Sequence, residues 1–198
     1  MSDQPLPRLL ATPWEDVLTR AALTGECAAL VQADSDAGRA ITRLEDAGLV
    51  TEAAKLMAHA LPKRECVWWA CMCARHTAPP DLPEADAAAV SGAETWVRQQ
   101  TDESRREAFE HAQRANFSSA EAWAAVAAFW SGDSMSPLGQ PKTPPAPHLT
   151  GTATIGSVTL AAVRTHPVRR DERLRRFLAS GREIAAGGAG RLPPEEIA

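Results

Sequence analysis

The chain has 198 residues, is 44% hydrophobic and carries a net charge of −4; it is long enough for one sizeable core, and at a pI of 5.8 it lacks the clustered Lys and Arg of a dedicated nucleic-acid binder. Tyr is absent and Phe is scarce against abundant Ala, a balance that favours close-packed helices over a sheet. No apolar run approaches the ~20 residues of a membrane span, and the opening Met-Ser-Asp-Gln-Pro-Leu-Pro has neither the basic nor the apolar region of a secretory signal, so the expected location is cytoplasmic.

In chain order, residues 1–11 are expected to be a flexible terminus. Thr12-Pro13-Trp14-Glu15 then reads as a capping box opening a helix to about Leu23, which Gly25 interrupts. A short helical piece, 26–32, leads to Asp34-Ser-Asp36, which caps a helix over 37–47 with Ala40, Ile41 and Leu44 on one face and Gly48 as its stop. Thr51 is expected to cap the next helix, to Ala60. Leu61 to His76 follows as the central helix. Pro62 suits its first position, and from Cys66 to Ala74 every residue is apolar or a thiol, so neighbours must cover it on all sides.

Three prolines in Thr77–Pro83 make a loop. Helices are expected over 84–100, over 102–115 behind a Thr101 cap, and from a second capping box, Ser118-Ser-Ala-Glu121, through Trp130 to Gly132. From 133 to 150 five prolines make an extended crossing. A helix of small residues over 152–165 and a last helix from Pro167 to about 186 complete the domain, and 187–198 reads as a flexible tail. The expected fold class is therefore all-α: a single domain, 12–186, of about eight helices, as a bundle or stacked helix pairs, with Trp68, Trp69, Trp123, Phe129 and Trp130 in its core. Ala-Glu-Thr-Trp at 93–96 and Ala-Glu-Ala-Trp at 120–123 are too weak a repeat to imply a solenoid.

The chemistry-bearing residues are few. The four cysteines are expected to be reduced, since three lie on one helix and nothing indicates an oxidising compartment. Cys71, Cys73 and His76 offer a metal-binding or enzymatic alternative, though on a helix only Cys73 and His76, three apart, reach a common ion; the plainer reading is that free Cys is a small buried hydrophobe. Gly187-Gly-Ala-Gly-Arg191 lacks the Lys-Ser/Thr of a phosphate loop and follows a helix. No Ser/His/Asp set or carboxylate pair stands out, and no cofactor is expected. Arg164 to Arg182 holds seven arginines against Asp171 and Glu172, and helical spacing puts Arg169, Arg173 and Arg176 opposite the apolar arc of Leu174, Phe177, Leu178, Gly181 and Ile184. Solvated charges are the bland reading; a strip for an acidic partner is the sharper one. Arg64 at the central helix start either pairs with a carboxylate or presents a recognition point, and His148 either bonds to nearby backbone or serves as a ligand or base.

Three stretches, His-Ala-Leu-Pro-Lys-Arg-Glu-Cys-Val-Trp-Trp-Ala-Cys at 59–71, Ala-Glu-Ala-Trp-Ala-Ala-Val-Ala-Ala-Phe-Trp-Ser-Gly at 120–132 and Pro-His-Leu-Thr-Gly at 147–151, resemble a family of uncharacterised bacterial proteins known only as a domain of unknown function. The similarity covers roughly residues 36–187 and implies no activity, cofactor or site. It implies a setting near contractile (type VI) secretion genes, and so a secretion-system component as partner. The combined expectation is a non-enzymatic cytosolic adaptor or scaffold binding another protein, with Arg169, Arg173, Arg176, Arg64 and His148 as its contact residues.

Overall fold

Alanine-rich segments with apolar residues three and four apart, punctuated by Gly and Pro, dictate helices, and no strand occurs among the described residues, 6–196, of the computed structural model. Ten α-helices follow one another: α1 (Trp14–Ala21), α2 (Gly25–Val31), α3 (Ala37–Asp46), α4 (Val50–Ala60), α5 (Lys63–His76), α6 (Glu84–Gln99), α7 (Asp102–Arg114), α8 (Ala120–Trp130), α9 (Leu149–Val163) and α10 (Arg170–Ala185). That is two more than the expected eight or so. One 3-10 turn, Pro7–Ala11, precedes α1, and another, Pro167–Arg169, runs straight into α10. None of these helices is long and apolar enough to cross a membrane.

Three starts follow the capping chemistry of the sequence. Asp36 accepts from Arg39 N at 3.0 Å, Thr101 from Ser104 N at 3.1 Å and Ser119 from Ala122 N at 3.0 Å, each bond stabilising its helix by about 1 kcal/mol. Other starts differ. The N-cap of α1 is Pro13 and that of α4 is Leu49, neither with a side-chain cap bond. Because Ser119 rather than Ser118 caps α8, Glu121 stands one position too early to close a capping box, and its carboxylate turns inside instead.

The buried side chains form one continuous cluster. Within it α5 packs against α6, α8, α9 and α10, and α9 against α4, α5, α8 and α10. Trp69 is fully buried and its indole N–H donates to Phe177 O at 2.8 Å. Phe129 is buried, but Trp68, Trp123 and Trp130, expected in the core, are only half-buried at its edge: adjacent residues on a helix point about 100° apart, so beside the buried Trp69 and Phe129 their neighbours Trp68 and Trp130 meet the rim. The small residues of α9 permit the close approach, with Ser157 Oγ donating to Ala120 O of α8 at 2.7 Å.

Between Trp130 and Leu149 no helix forms, and the prolines of this crossing stand largely exposed. Its start is pinned from α7 by Arg105, 2% exposed, which donates to Phe129 O at 3.3 Å and Ser134 O at 2.8 Å. Ser134 Oγ in turn accepts from Ser136 N and Thr143 N, both at 3.1 Å.

Both ends depart from the expected flexible segments; residues 1–5 and 197–198 lie outside the described residues. The first 3-10 turn buries Leu9 in the core. After α10, Gly187 adopts a left-handed φ of 102°, with Gly187 N bonded to Ile184 O and Gly188 N to Glu183 O, each at 2.9 Å. This paired arrangement closes a helix end and reverses the chain, so the residues read as a frayed tail return along the domain. Trp68 Nε1 donates to Ala189 O at 2.7 Å and Ser180 Oγ to Gly190 O at 2.6 Å.

Two outcomes follow from the contact between α4 and α9, where a Cβ on Gly151 would overlap Nδ1 of the buried His59. Gly→Ala in a helix ordinarily stabilises by about 1 kcal/mol, but overpacking costs about 1–3 kcal/mol, so Gly151→Ala should lower the urea midpoint and His59→Ala in the same chain should recover part of the loss. Burial pushes His59 down to about 4, with Lys55 and His148 adding to the effect. A base with a lowered folded pKa binds its proton mainly in the unfolded chain, so stability should fall as pH drops from 6.5 towards 4; a urea series across that window should flatten in His59→Gln.

Candidate functional site

The start of α10 is crowded with cations: Arg169, Arg170, Arg173, Arg175 and Arg176 fall within the helix's first two turns, at the end where the backbone dipole is positive. The acids of the same turn relieve part of this. Glu172 accepts from Arg169 at 3.2 Å and from Arg176 at 2.8 Å, and these contacts, led by Arg169, hold its carboxyl below the usual range. Arg173 turns inward. It is 2% exposed and its Nη1 donates to Ala162 O at 3.0 Å and Arg164 O at 2.5 Å, the two carbonyls that close α9.

The other face of that guanidinium holds a carboxylate from the returning tail. Arg173 Nε lies 3.1 Å from both oxygens of Glu195 and Nη2 lies 2.6 Å from one of them, while Arg169 Nη1 adds a contact at 3.0 Å. The Glu195 side chain is 8% exposed, whereas Pro193 and Pro194 beside it face solvent. Hydrogen bonding from Arg173 keeps the Glu195 carboxyl below its ordinary pKa. The tail backbone is also captured: Glu195 N donates to His76 O at 2.7 Å, a carbonyl at the end of α5 that has no partner within its own helix, and Pro193 O accepts from His76 Nδ1.

Beside this contact lies a cavity of about 340 Å³ between the ends of α5 and α9 and the start of α10, with Thr77, Pro79, His166, Val168, Arg169 and Arg173 on its walls and Glu195 closing one side. Two features of its lining are not explained by the fold alone. Thr77 is 7% exposed, and its hydroxyl is among the buried polar atoms without a partner. Thr165 takes a φ of 57°, a left-handed conformation costly for a β-branched residue.

The expected strip of arginines is thus not a free surface. Arg169 is half-buried and doubly paired, Arg173 is inside, and Arg176 alone of the three stands exposed, paired with Glu172. Arg173 does not lie opposite the apolar arc as expected: one turn before Phe177, it borders that arc, and the tail covers it and Arg169 while leaving Arg176 in solvent. Arg64 donates to Val97 O at 3.0 Å and pairs with its neighbour Glu65 at 3.3 Å, and Glu65 is also held by Arg8 at 2.5 Å; a backbone carbonyl and the adjacent acid replace the distant carboxylate. His148 is exposed at the N-cap of α9 with no side-chain cap bond, remote from the arginine site in the sequence and absent from the cavity wall.

Cys66, Cys71 and Cys73 are buried and free. Desolvation pushes Cys66 up to about 12 and raises the other two, so all three stay protonated at neutral pH, whereas a thiolate is the form that attacks or ligates. His76 is 2% exposed, with its ring edge-on to Phe177 and its Nδ1 on Pro193 O. Among the described residues no three His, Cys, Asp or Glu side chains gather as a metal site.

The residues that sequence reasoning missed are Glu195, Thr77 and the buried pair Glu121–Arg164, in which Arg164 Nη2 lies 2.5 Å from Glu121 Oε2. One signal for them existed. Seven arginines against two acids between 164 and 182 require carboxylates from elsewhere, and buried arginines demand them most. The three stretches that carry the family resemblance also meet, at the corner of α4, α5, α8 and α9: His59 lies on Gly151, Lys63 Nζ donates to Ser131 O at 3.3 Å and Thr150 Oγ1 to Trp130 O at 3.1 Å. Those contacts go to backbone, so this corner is built for packing.

A model of a family of unknown function, DUF6931, matches residues 40–185, and the chain belongs to that family. No curated protein and no solved structure matches it.

The buried arginine sets the expected mutational response. Exposed substitutions usually change stability by less than ~0.5 kcal/mol, whereas removing one member of a buried ion pair costs about 3–5 kcal/mol. Arg173→Ala should therefore lower unfolding free energy by the larger amount and Arg176→Ala by the smaller; equal small losses in urea titrations would show that Arg173 is not held as described.

Proposed function

We propose that this member of the DUF6931 family is a non-enzymatic cytosolic adaptor that docks another protein at the pocket between the ends of α5 and α9 and the start of α10. The observation that carries the reading is a buried arginine, fixed by two helix-end carbonyls, holding the carboxylate of an extended peptide segment. Such a fork is preorganised for carboxylate, giving both geometry and charge to the contact. An exposed apolar side chain, Val168, 93% exposed, stands on the cavity wall where a partner would bury it.

The alternative of a metal protein or enzyme built on Cys71, Cys73 and His76 draws no support from the site: the thiols are protonated and enclosed, and His76 serves to hold the tail. The partner we expect is a component of a contractile (type VI) secretion system, the setting that the family resemblance implies.

Affinity purification from the native bacterium tests the reading with two baits. The wild-type chain should reproducibly recover one partner, and Arg169→Glu, altering a half-exposed pocket residue, should lose it while keeping the wild-type circular dichroism and thermal midpoint to within a few degrees. A partner retained by Arg169→Glu would place docking elsewhere, and the absence of any reproducible partner would remove the adaptor reading.

A further inference from the structure

We infer that the chain's own segment Leu192–Glu195 is a built-in occupant of this pocket, and that the ligand it stands in for is an extended acidic peptide of a partner protein, with a glutamate following proline. The inference rests on the docking site proposed above and names its ligand and its regulation.

The segment is bound as a ligand is bound. Its two ends are inserted, Glu195 by its carboxylate and Leu192 by a half-buried apolar contact with the core, while the two prolines between them stay in solvent. Main-chain capture is double, through His76 O and His76 Nδ1, a pattern any extended peptide can satisfy irrespective of most of its side chains. Pro193-Pro194 restricts the backbone to extended conformations, so little chain entropy is lost on docking. The receptor half does not depend on the segment for its shape: Arg173 is fixed by Ala162 O and Arg164 O, and Arg169 is held independently by Glu172. Carboxylate is the specified group, because the fork meets both oxygens of Glu195 and a second arginine completes the contact.

The pocket is also larger than its occupant uses. Glu195 forms one wall of the cavity of about 340 Å³, and Thr77, Pro79, His166 and Val168 line the rest of it. A partner peptide continuing beyond its glutamate gains the unfilled part of that cavity and the exposed face of Val168, which the chain's own segment leaves in solvent. This surplus is what allows displacement. A tethered segment competes at an effective concentration in the mM range, and the apparent affinity of a free peptide falls by the fraction of pockets open.

The probe is a fluorescent synthetic peptide copying residues 192–196, Leu-Pro-Pro-Glu-Glu, and the same peptide with Gln in place of Glu195. By anisotropy, the full chain carrying Glu195→Gln should bind the Glu peptide at least ~tenfold tighter than wild type does, with the gain lost on adding Arg169→Gln and with the Gln peptide ineffective. Equal binding of the two peptides, or full competition by inorganic phosphate at equal concentration, would overturn the carboxylate assignment. A second measurement uses the unmodified chain, should Glu195→Gln fail to fold: Arg191 is exposed just before the segment, so excess Glu peptide should speed tryptic cleavage at Arg191–Leu192, and an unchanged rate overturns the inference. If Arg169→Glu loses the native partner while neither peptide assay responds, the docking site stands and the built-in occupant does not; if the peptide assays respond while the partner survives Arg169→Glu, the occupant stands and the adaptor reading of the site falls.

Discussion

Four charged side chains in series, Glu121, Arg164, Arg173 and Glu195, tie together elements that the chain keeps far apart. Glu121 of α8, with no exposed surface, pairs with Arg164 just after α9; the carbonyl of Arg164 accepts from Arg173 of α10, and Arg173 holds Glu195 of the tail. Arg164 also reaches Ala74 O of α5 at 3.4 Å. Moving such charges out of water costs several kcal/mol per ion, which mutual attraction offsets only where the remaining donors and acceptors are satisfied. Arg173 meets that condition fully, with both faces of its fork bonded. Glu121 meets it in part, since its Oε1 is among the buried atoms without a partner. The series therefore specifies how α8, α9 and α10 meet more than it stabilises them; the bulk of the stability comes from the apolar cluster around α5 and α9.

That division explains what the sequence disclosed. Local chemistry was legible: the caps at Asp36 and Thr101, the glycine stop at Gly48 and the all-apolar run of α5 each act within a few residues and predict their elements to within a residue or two, whereas the box expected at Ser118 moves to a simple Ser119 cap. The half-burial of Trp68, Trp123 and Trp130 was not legible, because helical periodicity assigns a face to each residue without saying how far the neighbouring helix extends over it. The same limit governed the arginines. Their spacing on α10 suggests a solvent face, yet Arg173 borders the apolar arc and is buried, because the carboxylate that covers it lies 22 positions further on, past a pair of glycines that resemble a fraying end. Gly187 is instead the left-handed residue that reverses the chain, and only that reversal brings Glu195 to Arg173.

The distinctive stretches shared with the family carry a related lesson. His59, Lys63, Ser131, His148 and Thr150 are residue types that suggest chemistry, yet in the fold Lys63 and Thr150 spend their polar groups on helix-end carbonyls, and burial keeps His59 neutral near pH 7. Two interhelical connections pass through this corner, from α4 to α5 and from the crossing into α9. Between them lies the end of α8, whose last carbonyls, Trp130 O and Ser131 O, need donors. Lys63 at the start of α5 and Thr150 at the start of α9 supply them, which is sufficient reason for these two residue types to stand where they do.

The arginine end of α10 has no such closed account, and the reason is electrostatic. Cations at the positive end of a helix are unfavourable by roughly 0.3–1 kcal/mol each, and five of them accumulate there, whereas Asp171 and Glu172 are the only acids of the first turn. A helix start built in this way is incomplete without a carboxylate delivered from outside the helix. The tail delivers one through a segment with exposed prolines and one half-buried apolar side chain, Leu192, so the contact depends on a single carboxylate and two main-chain bonds more than on apolar burial. Contacts of that kind exchange more readily than core packing does, because a competing carboxylate restores the same charge balance without disturbing α5, α9 or α10. The physical constraint at this helix start thus calls for a carboxylate in the site while leaving open which chain supplies it.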